Sequence, residues 1–488
     1  MSKSFPSGDR PFHIEVYGTD PIPEEAAHGK PSELFWIWFG ANLSMFIVIY
    51  GIILSGAGLN FWQSILVLLV GTVSSFMLVA ILSLPGVWGR RPMLALSRAP
   101  FGRIGNIGPA LLSWLSLVGW EIVGVVLAAY VLLDALQILG IPSNILVTAL
   151  SVLVTTALIV AAGVLGHATL VRLQQFVTIV FGLLTFLIGG FLLIGTHWSV
   201  ALSAPAGPWV TGVLATLSII VAGTGVSWLN IGADYTRYLP RNSAKGAILW
   251  WTISGALLPF LVLGLVGFLL AGRVPGLADA ENPVAVIGAT LPAWMTIPFL
   301  LVAFVGLLAG AYLTIYSSGL SLLATGLRIP RYRSVLIDGA VMVLGAIYIM
   351  FIAKNFLGVF ESFLGVISVG LTAWAGVFLI DMLQRRLSYS LIREPSSDPL
   401  ALSRRAVKWI AVGSWVAGSI VGLLFTSSPL FTGPLAVGIL ASSNFGFVFS
   451  FVISLLLYLG LLEGTRRFSG ASFSKGKQEG SLEKVEMS

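Results

Sequence analysis

Twelve apolar runs near or above the length of a bilayer-spanning helix restrict this chain more than any other feature of its sequence. They fall at about 34–56, 62–84, 108–136, 143–163, 174–195 and 210–231 in the first half. The second half adds 247–270, 292–326, 334–353, 356–381, 408–427 and 434–462. About 20 apolar residues in helical form cross a hydrocarbon core. Backbone polar groups in lipid must pair within the spanning structure, which leaves helices or a closed barrel, and the short alternating strands of a barrel do not appear. Numbered in order as spans 1–12, the runs predict an all-α polytopic membrane protein. Composition fits, because 10% charged residues is far below the roughly 25% of a water-facing surface.

A net charge of +7 raises the question of nucleic acid, but the basic residues lie in breaks between the runs. With the N-terminus inside, segments 1–33, 85–107, 164–173, 232–246, 327–333, 382–408 and 463–488 hold 25 of the 27 Lys and Arg. Only Arg273 and Lys354 fall on the other side. One miscounted span would scramble this asymmetry. It therefore predicts a multi-pass protein of the plasma or inner membrane, with both termini cytoplasmic and no nucleic-acid partner. Residues 1–33 are polar and broken by Pro6, Pro11, Pro21, Pro23 and Pro31. The first apolar run has spanning length, not that of a signal-peptide core, and is expected to be retained.

The expected organisation is an N-terminal arm at 1–33, a ten-helix core at 34–381, a loop at 382–407, helices 11 and 12 within 408–462, and a tail at 463–488 whose composition favours disorder. Ten core helices divide into repeats at about 34–195 and 210–381. Five is odd, so the second repeat must lie upside down relative to the first, a recurrent transporter plan. Gly40 and Gly51 in span 1, and Gly223 and Gly225 in span 6, occupy matched mid-span places. They allow either unwound helices or close helix packing.

Asp134, Asp234, Asp338, Glu361, Asp381 and Glu463 sit near span ends or in loops, within expected reach of water. Glu121 lies near the middle of span 3. A carboxyl there costs several kcal/mol unless it meets a cavity or a partner, or is protonated. It is a candidate proton carrier or acceptor for a ligand N–H, with a structural interhelical bond as the plain alternative. Trp36, Trp38, Trp62, Trp88, Trp198, Trp209 and Trp294 fit an interfacial belt. Trp120 and Trp228 lie deeper, where an indole can either pack in the core or stack on a flat ring. Further central polar groups are Asn42 and Ser44 in span 1, Thr224, Ser227 and Asn230 in span 6, and Tyr312, Thr314, Tyr316, Ser317 and Ser318 in span 8. Their concentration in spans 1, 3, 6 and 8 is the signal, since single Ser and Thr residues often bond their own helix.

Cysteine is absent, and neither a G-x-x-x-x-G-K-[ST] loop nor H-E-x-x-H occurs. No catalytic constellation, cofactor site or metal site is therefore expected, and the chain is read as a non-enzyme. His13, His28, His167 and His197 fall in loops or near span ends. There is no Arg-rich sensor helix and no T-V-G-Y-G filter, which disfavours those channel types.

Several segments resemble the nucleobase–cation symporter family, in its purine–cytosine permease branch. They are 22-IPEEAAHGKPSELFWIWFGANLS-44, 58-GLNFWQSI-65, 85-PGVWGRRPMLALSRAPFGRIGN-106, the Gly119–Trp120 pair, 227-SWLNIGADYTRYLP-240 and 314-TIYSSGLSLLATGLRIPRYR-333. The resemblance, over about 21–460, implies an inverted-repeat core plus two peripheral helices, alternating access, and a site between spans 1, 3, 6 and 8. It implies that Trp120 stacks on the base. The span-6 aromatic of cytosine and hydantoin carriers corresponds to Gly225 here, and Trp228 resembles the SW pair of purine-type relatives. Leu117 stands where cytosine carriers are polar. Leu307 and Leu308 stand where sodium-coupled relatives have hydroxyls, and Thr314 where many have asparagine. Proton coupling through Glu121 is favoured over sodium, which stays open.

The expected substrate-binding set is thus Trp120, Glu121, Thr224, Gly225, Ser227, Trp228, Asn42 and Thr314, around a small nucleobase-like solute. The lipid bilayer is the other expected partner, and no obligatory protein partner is evident. The alternatives are a transporter of an amino acid or quaternary amine on the same fold, or a non-transporting membrane sensor or channel.

Overall fold

A computed structural model describes residues 11–15, 17–280, 282–353, 356–385 and 401–465. Most of the expected loop at 382–407, and the tail beyond 465, lie outside the described residues. Ten helices among the described residues are long and apolar enough to cross a membrane, eleven if the bent pair Glu33–Asn42 and Met45–Gly56 is one span. The expected count of twelve is reached only if Lys408–Leu424, a shorter apolar helix, also crosses.

The first helix of each set of five is broken. Span 1 bends by 60° between Asn42 and Met45. Ser44 is extended there and its hydroxyl caps the second half by accepting from Phe46 N at 3.4 Å, an N-cap arrangement. Span 6 runs as helix to Gly223, leaves helical geometry at Thr224 and makes a single 3₁₀ turn over Gly225–Trp228, past which a separate short helix follows at Gly232–Thr236. The glycines divide between the two readings the sequence left open. A side chain at Gly51 would strike the Gly264 carbonyl of span 7, and one at Gly40 would strike Gln174 of span 5, so both are packing glycines. Gly223 and Gly225 flank the span-6 break itself.

Span 4, Ile145–Leu165, is shifted two residues along from its apolar run, and span 5, His167–Leu192, is longer than its run suggests. The expected loop at 164–173 shrinks to Gly166, whose φ of +92° favours glycine. The far end also differs from expectation. Residues 427–432 form a two-residue hairpin and Ile439–Ser443 a short helix, so the last span begins at Gly446 and not at 434. Gly433, Pro434 and Gly438, the last at φ +57°, break the apolar run. Leu430 N donates to Ser362 of span 10 at 2.9 Å, which ties the hairpin to the bundle.

At the opposite end, the arm packs across the bundle. Phe12 N donates to Thr169 at 2.8 Å, Ile22 N to the Arg90 carbonyl at 2.9 Å, and His28 N to the Tyr238 carbonyl at 2.8 Å. At its centre Glu15, 2% exposed, ion-pairs with Arg237 at 2.5 Å. The same carboxylate accepts from the Tyr238 hydroxyl at 2.5 Å, the Tyr316 hydroxyl at 3.3 Å and His167 N at 3.2 Å. This end is called the arm side below.

Candidate substrate site

The two helix breaks face one cavity, about 540 Å³ of empty space counting the part open to solvent. The wall draws on spans 1, 3, 6, 7 and 8, the last two contributing Phe260 and, one turn apart, Leu307, Gly310, Ala311 and Thr314. Tyr50 of span 1 donates to the carbonyl of Gly223 at 3.2 Å, which satisfies a group freed by the span-6 break. A side chain on Gly223 would collide with that hydroxyl.

Trp120 and Trp228 bring the large aromatic surface. Phe46 meets Trp120 nearly perpendicularly, with centroids 5.7 Å apart at 87°. Trp38 does the same for Trp228, at 5.7 Å and 79°. Phe363 adds a second near-perpendicular ring to Trp120, at 6.5 Å and 77°; such edge-to-face pairs are a favoured aromatic geometry, and both indoles line the cavity.

The polar wall is rich in acceptors. Asn42 donates to the Trp38 carbonyl at 2.7 Å, Ser227 to the Thr224 carbonyl at 2.7 Å, and Thr314 to the Ala311 carbonyl at 3.0 Å. These donors serve their own helices, and the oxygens of the three side chains keep lone pairs for a ligand N–H. Among the described residues, no Asp, Glu, Lys, Arg or His lines the cavity.

The family profile described as "Permease for cytosine/purines, uracil, thiamine, allantoin" matches residues 21–452. The chain belongs to this family. It is 26% identical to a Bacillus subtilis protein that carries a purine-cytosine permease designation, over 92% of this chain and 96% of that one. It is 25% identical to the Emericella nidulans purine-cytosine permease, over 94% and 90%. Among solved structures, it superposes on a nucleobase-cation-symport-1 family transporter, closed with bromovinylhydantoin bound, at a TM-score of 0.73. Identity there is 18%, over 92% of this chain and 96% of the other. A Na⁺-coupled sialic acid symporter follows at 0.59, with 11% identity over 89% and 91%. The fold is therefore that of a multi-pass membrane transporter with inverted repeats, and the named relatives are permeases and transporters.

Within this family fold, Trp120, Ser227, Trp228, Asn42 and Thr314 come together in the cavity wall. Glu121, Thr224 and Gly225 do not line it. Thr224 and Gly225 instead clamp the broken span 6 to span 2, where Thr224 Oγ1 lies 2.9 Å from Ser75 Oγ and Gly225 N donates to it at 3.2 Å. A side chain on Gly225 would enter Ser75, so no aromatic fits in that place. Glu121 follows Trp120 but points elsewhere, since successive residues turn about 100° around a helix. It is wholly buried, neither carboxyl oxygen has a hydrogen-bond partner, and its polar surroundings are Ser318 and Asp338.

The acids placed near water by their sequence position also need correction. Asp234, Asp338 and Asp381 are 1%, 0% and 3% exposed. Each has donors: Met93 N for Asp234, Trp114 and Ser318 for Asp338, and Arg385 for Asp381. Burial pushes the Asp234 carboxyl, beyond span 6, up to about 7 against the lowering effect of the Met93 N–H. Trp38 is not in a belt but among the largest fully buried side chains. Sequence reading did not single out Phe46, Tyr50 or Phe260. Their aromatic character looks like any apolar helix face, and only contact reveals their place.

Proposed function

We propose that the protein imports an uncharged, flat heterocycle of nucleobase type (a purine, cytosine or an allantoin-like ureide) in symport with a proton, by alternating access. The observation that carries this reading is the pairing of Trp120 and Trp228, from different spans, in a cavity wall without charged residues. Each stacking face contributes on the order of 1–3 kcal/mol to a bound base. Asn42, Ser227 and Thr314 offer the acceptors that ring N–H groups need. The arm side is the cytoplasm on this reading, following the 25 of 27 basic residues assigned to that side.

Two features favour the proton over sodium. The side chains of Leu307 and Leu308 carry no oxygen for a hard cation, and the neighbouring Ala309 carbonyl receives the Gln174 amide at 2.7 Å. Glu121, buried without a hydrogen bond, supplies a group able to change charge. It takes a proton in the outward-facing, loaded state and releases it towards the cytoplasm.

The test is uptake of labelled nucleobases into proteoliposomes, with pH and sodium gradients imposed separately and with a protonophore. Unlabelled adenine, hypoxanthine, cytosine, uracil, allantoin and choline serve as competitors. Choline is included because paired tryptophans also attract quaternary ammonium. Saturable uptake driven by an inward proton gradient and competed by a nucleobase is expected. Uptake driven by sodium alone refutes proton coupling, and competition by choline alone refutes the nucleobase.

A further inference from the structure

We propose that Glu121 and Asp338, bridged by Ser318, form a two-station proton relay that lies behind the substrate cavity and not in it. The inference rests on the proton-coupled reading above and adds the second station and the route.

The two carboxyls come from different helices, Glu121 from span 3 and Asp338 from span 9, and both are 0% exposed. Asp338 has two donors, the Trp114 indole N–H at 2.6 Å and the Ser318 hydroxyl at 2.8 Å. Trp114 is seven residues before Glu121, so both project from one face of span 3, and that face meets span 9. Helical side chains lean towards their N-terminus, which for span 3 is the arm side, and this leans Glu121 towards Ser318. Ser318 faces both acids, but its hydroxyl is within donor distance of Asp338 Oδ2, at 2.8 Å, and of its own helix's Ile315 carbonyl, at 3.2 Å, and not of a Glu121 oxygen. Glu121 is thereby left without a hydrogen bond.

An ionised carboxylate in that setting is strongly disfavoured, and two ionised carboxylates beside each other more so. One proton shared by the pair relieves both costs. Asp338 is two turns from the arm-side start of span 9 at Arg331, roughly 10 Å of helix. Glu121 is four turns into span 3, which starts at Ile107. The stations are therefore stacked across the membrane, Glu121 deeper and Asp338 nearer the arm side.

The step balances. The Glu121 O–H bond breaks as its proton passes to a lone pair of Ser318 Oγ. The Ser318 hydroxyl proton passes to Asp338 Oδ2. Glu121 ends ionised, Asp338 neutral and Ser318 unchanged. Among the neighbouring elements, Asp338 is the charged group that acts on Glu121. Span 4 buries the hydroxyls of Ser151, Thr155 and Thr156, and Tyr312 of span 8 packs against an apolar cluster that includes Val126, Val152, Ile315 and Met342. Span 8 connects relay and cavity, because Thr314 in the cavity wall is one turn from Ser318.

The full chain, reconstituted in proteoliposomes, tests this with Asp338→Asn, Glu121→Gln, Ser318→Ala and Asp234→Asn. One pH unit is worth about 1.4 kcal/mol, enough to hold roughly tenfold accumulation at one proton per solute. Asp338→Asn and Glu121→Gln are each expected to abolish that accumulation while exchange of internal for external solute continues. Ser318→Ala, which keeps both acids, is expected to slow accumulation without lowering its final level. Infrared spectra should show a protonated-carboxyl C=O band in the wild type that is lost in the double Glu121→Gln/Asp338→Asn variant.

Wild-type accumulation that ignores pH defeats the proton-coupled reading itself. Wild-type accumulation that follows pH, together with undiminished accumulation by Asp338→Asn, overturns the relay alone. So does loss of accumulation only in Asp234→Asn, the other acid placed to titrate near neutrality. If Asp338→Asn neither accumulates nor exchanges, full accumulation and rate in Ser318→Ala overturns the route.

Discussion

Glu15 and Glu121 are both buried, at 2% and 0% exposure, in opposite surroundings. On the arm side, Glu15 meets Arg237, two tyrosine hydroxyls and a backbone N–H. Its negative charge is compensated and its lone pairs are occupied. In the middle of the bundle, Glu121 meets another acid and a serine whose proton is directed elsewhere. A buried charge with a full set of donors fastens elements together, here the arm, span 6, span 8 and the turn between spans 4 and 5. A buried acid lacking donors is stable only when its charge can change. The first region is organised to hold and the second to switch.

The sharpest way to break that comparison is to remove the cation from the fastened region. Arg237→Ala leaves Glu15 buried without its partner, and such losses cost about 3–5 kcal/mol. Thermal unfolding of the purified protein should show a large drop in midpoint, partly restored by adding Glu15→Gln. An unchanged midpoint in Arg237→Ala would show that the arm does not hold the bundle.

Glu15→Gln alone replaces a charged acceptor with an amide whose N–H₂ faces other donors. Lost charged hydrogen bonds are worth about 1.5–3 kcal/mol, readable in the same melt. At the cavity, Trp120→Ala should weaken nucleobase binding by about 1–3 kcal/mol, roughly 5- to 150-fold, measured by titration of the purified protein. Trp120→Phe should keep part of the affinity. Trp228→Ala should lose less, because Trp38 can shift towards the space it leaves. Affinity unchanged in Trp120→Ala would remove that indole from the site.

The smallest effect belongs to the switching region. Glu121→Gln has no hydrogen bond or ion pair to lose, so its unfolding free energy should stay within about 0.5 kcal/mol of wild type. A loss as large as that of Glu15→Gln would show that Glu121 is fastened too, and the contrast between the two regions would fall.

Much of the fold was legible because apolar runs and their basic breaks report on the membrane residue by residue. Helix ends set by backbone conformation were less so. Gly166 alone separates spans 4 and 5, and Gly433, Pro434 and Gly438 turn an apolar stretch into a hairpin and short helix. The candidate site was legible where depth and residue type coincided, as at Trp120, Trp228, Asn42, Ser227 and Thr314. It was not legible at Glu121, Thr224 and Gly225, which share the sequence neighbourhood of the cavity but not its direction. Depth can be counted along a chain, whereas direction depends on where the helix is broken and which neighbour it meets.

The sequence by itself determined the membrane class, the concentration of polar groups in four spans, and the presence of a deeply placed acid. Those properties are additive along the chain, since each residue contributes its own transfer cost. Only the tertiary structure decided which buried acids have partners. Asp338 and Glu121 are 217 positions apart and Glu15 and Arg237 are 222 apart. Pairing at that separation is produced by helix packing, and the energy of a buried charge is set by the few groups within hydrogen-bonding reach.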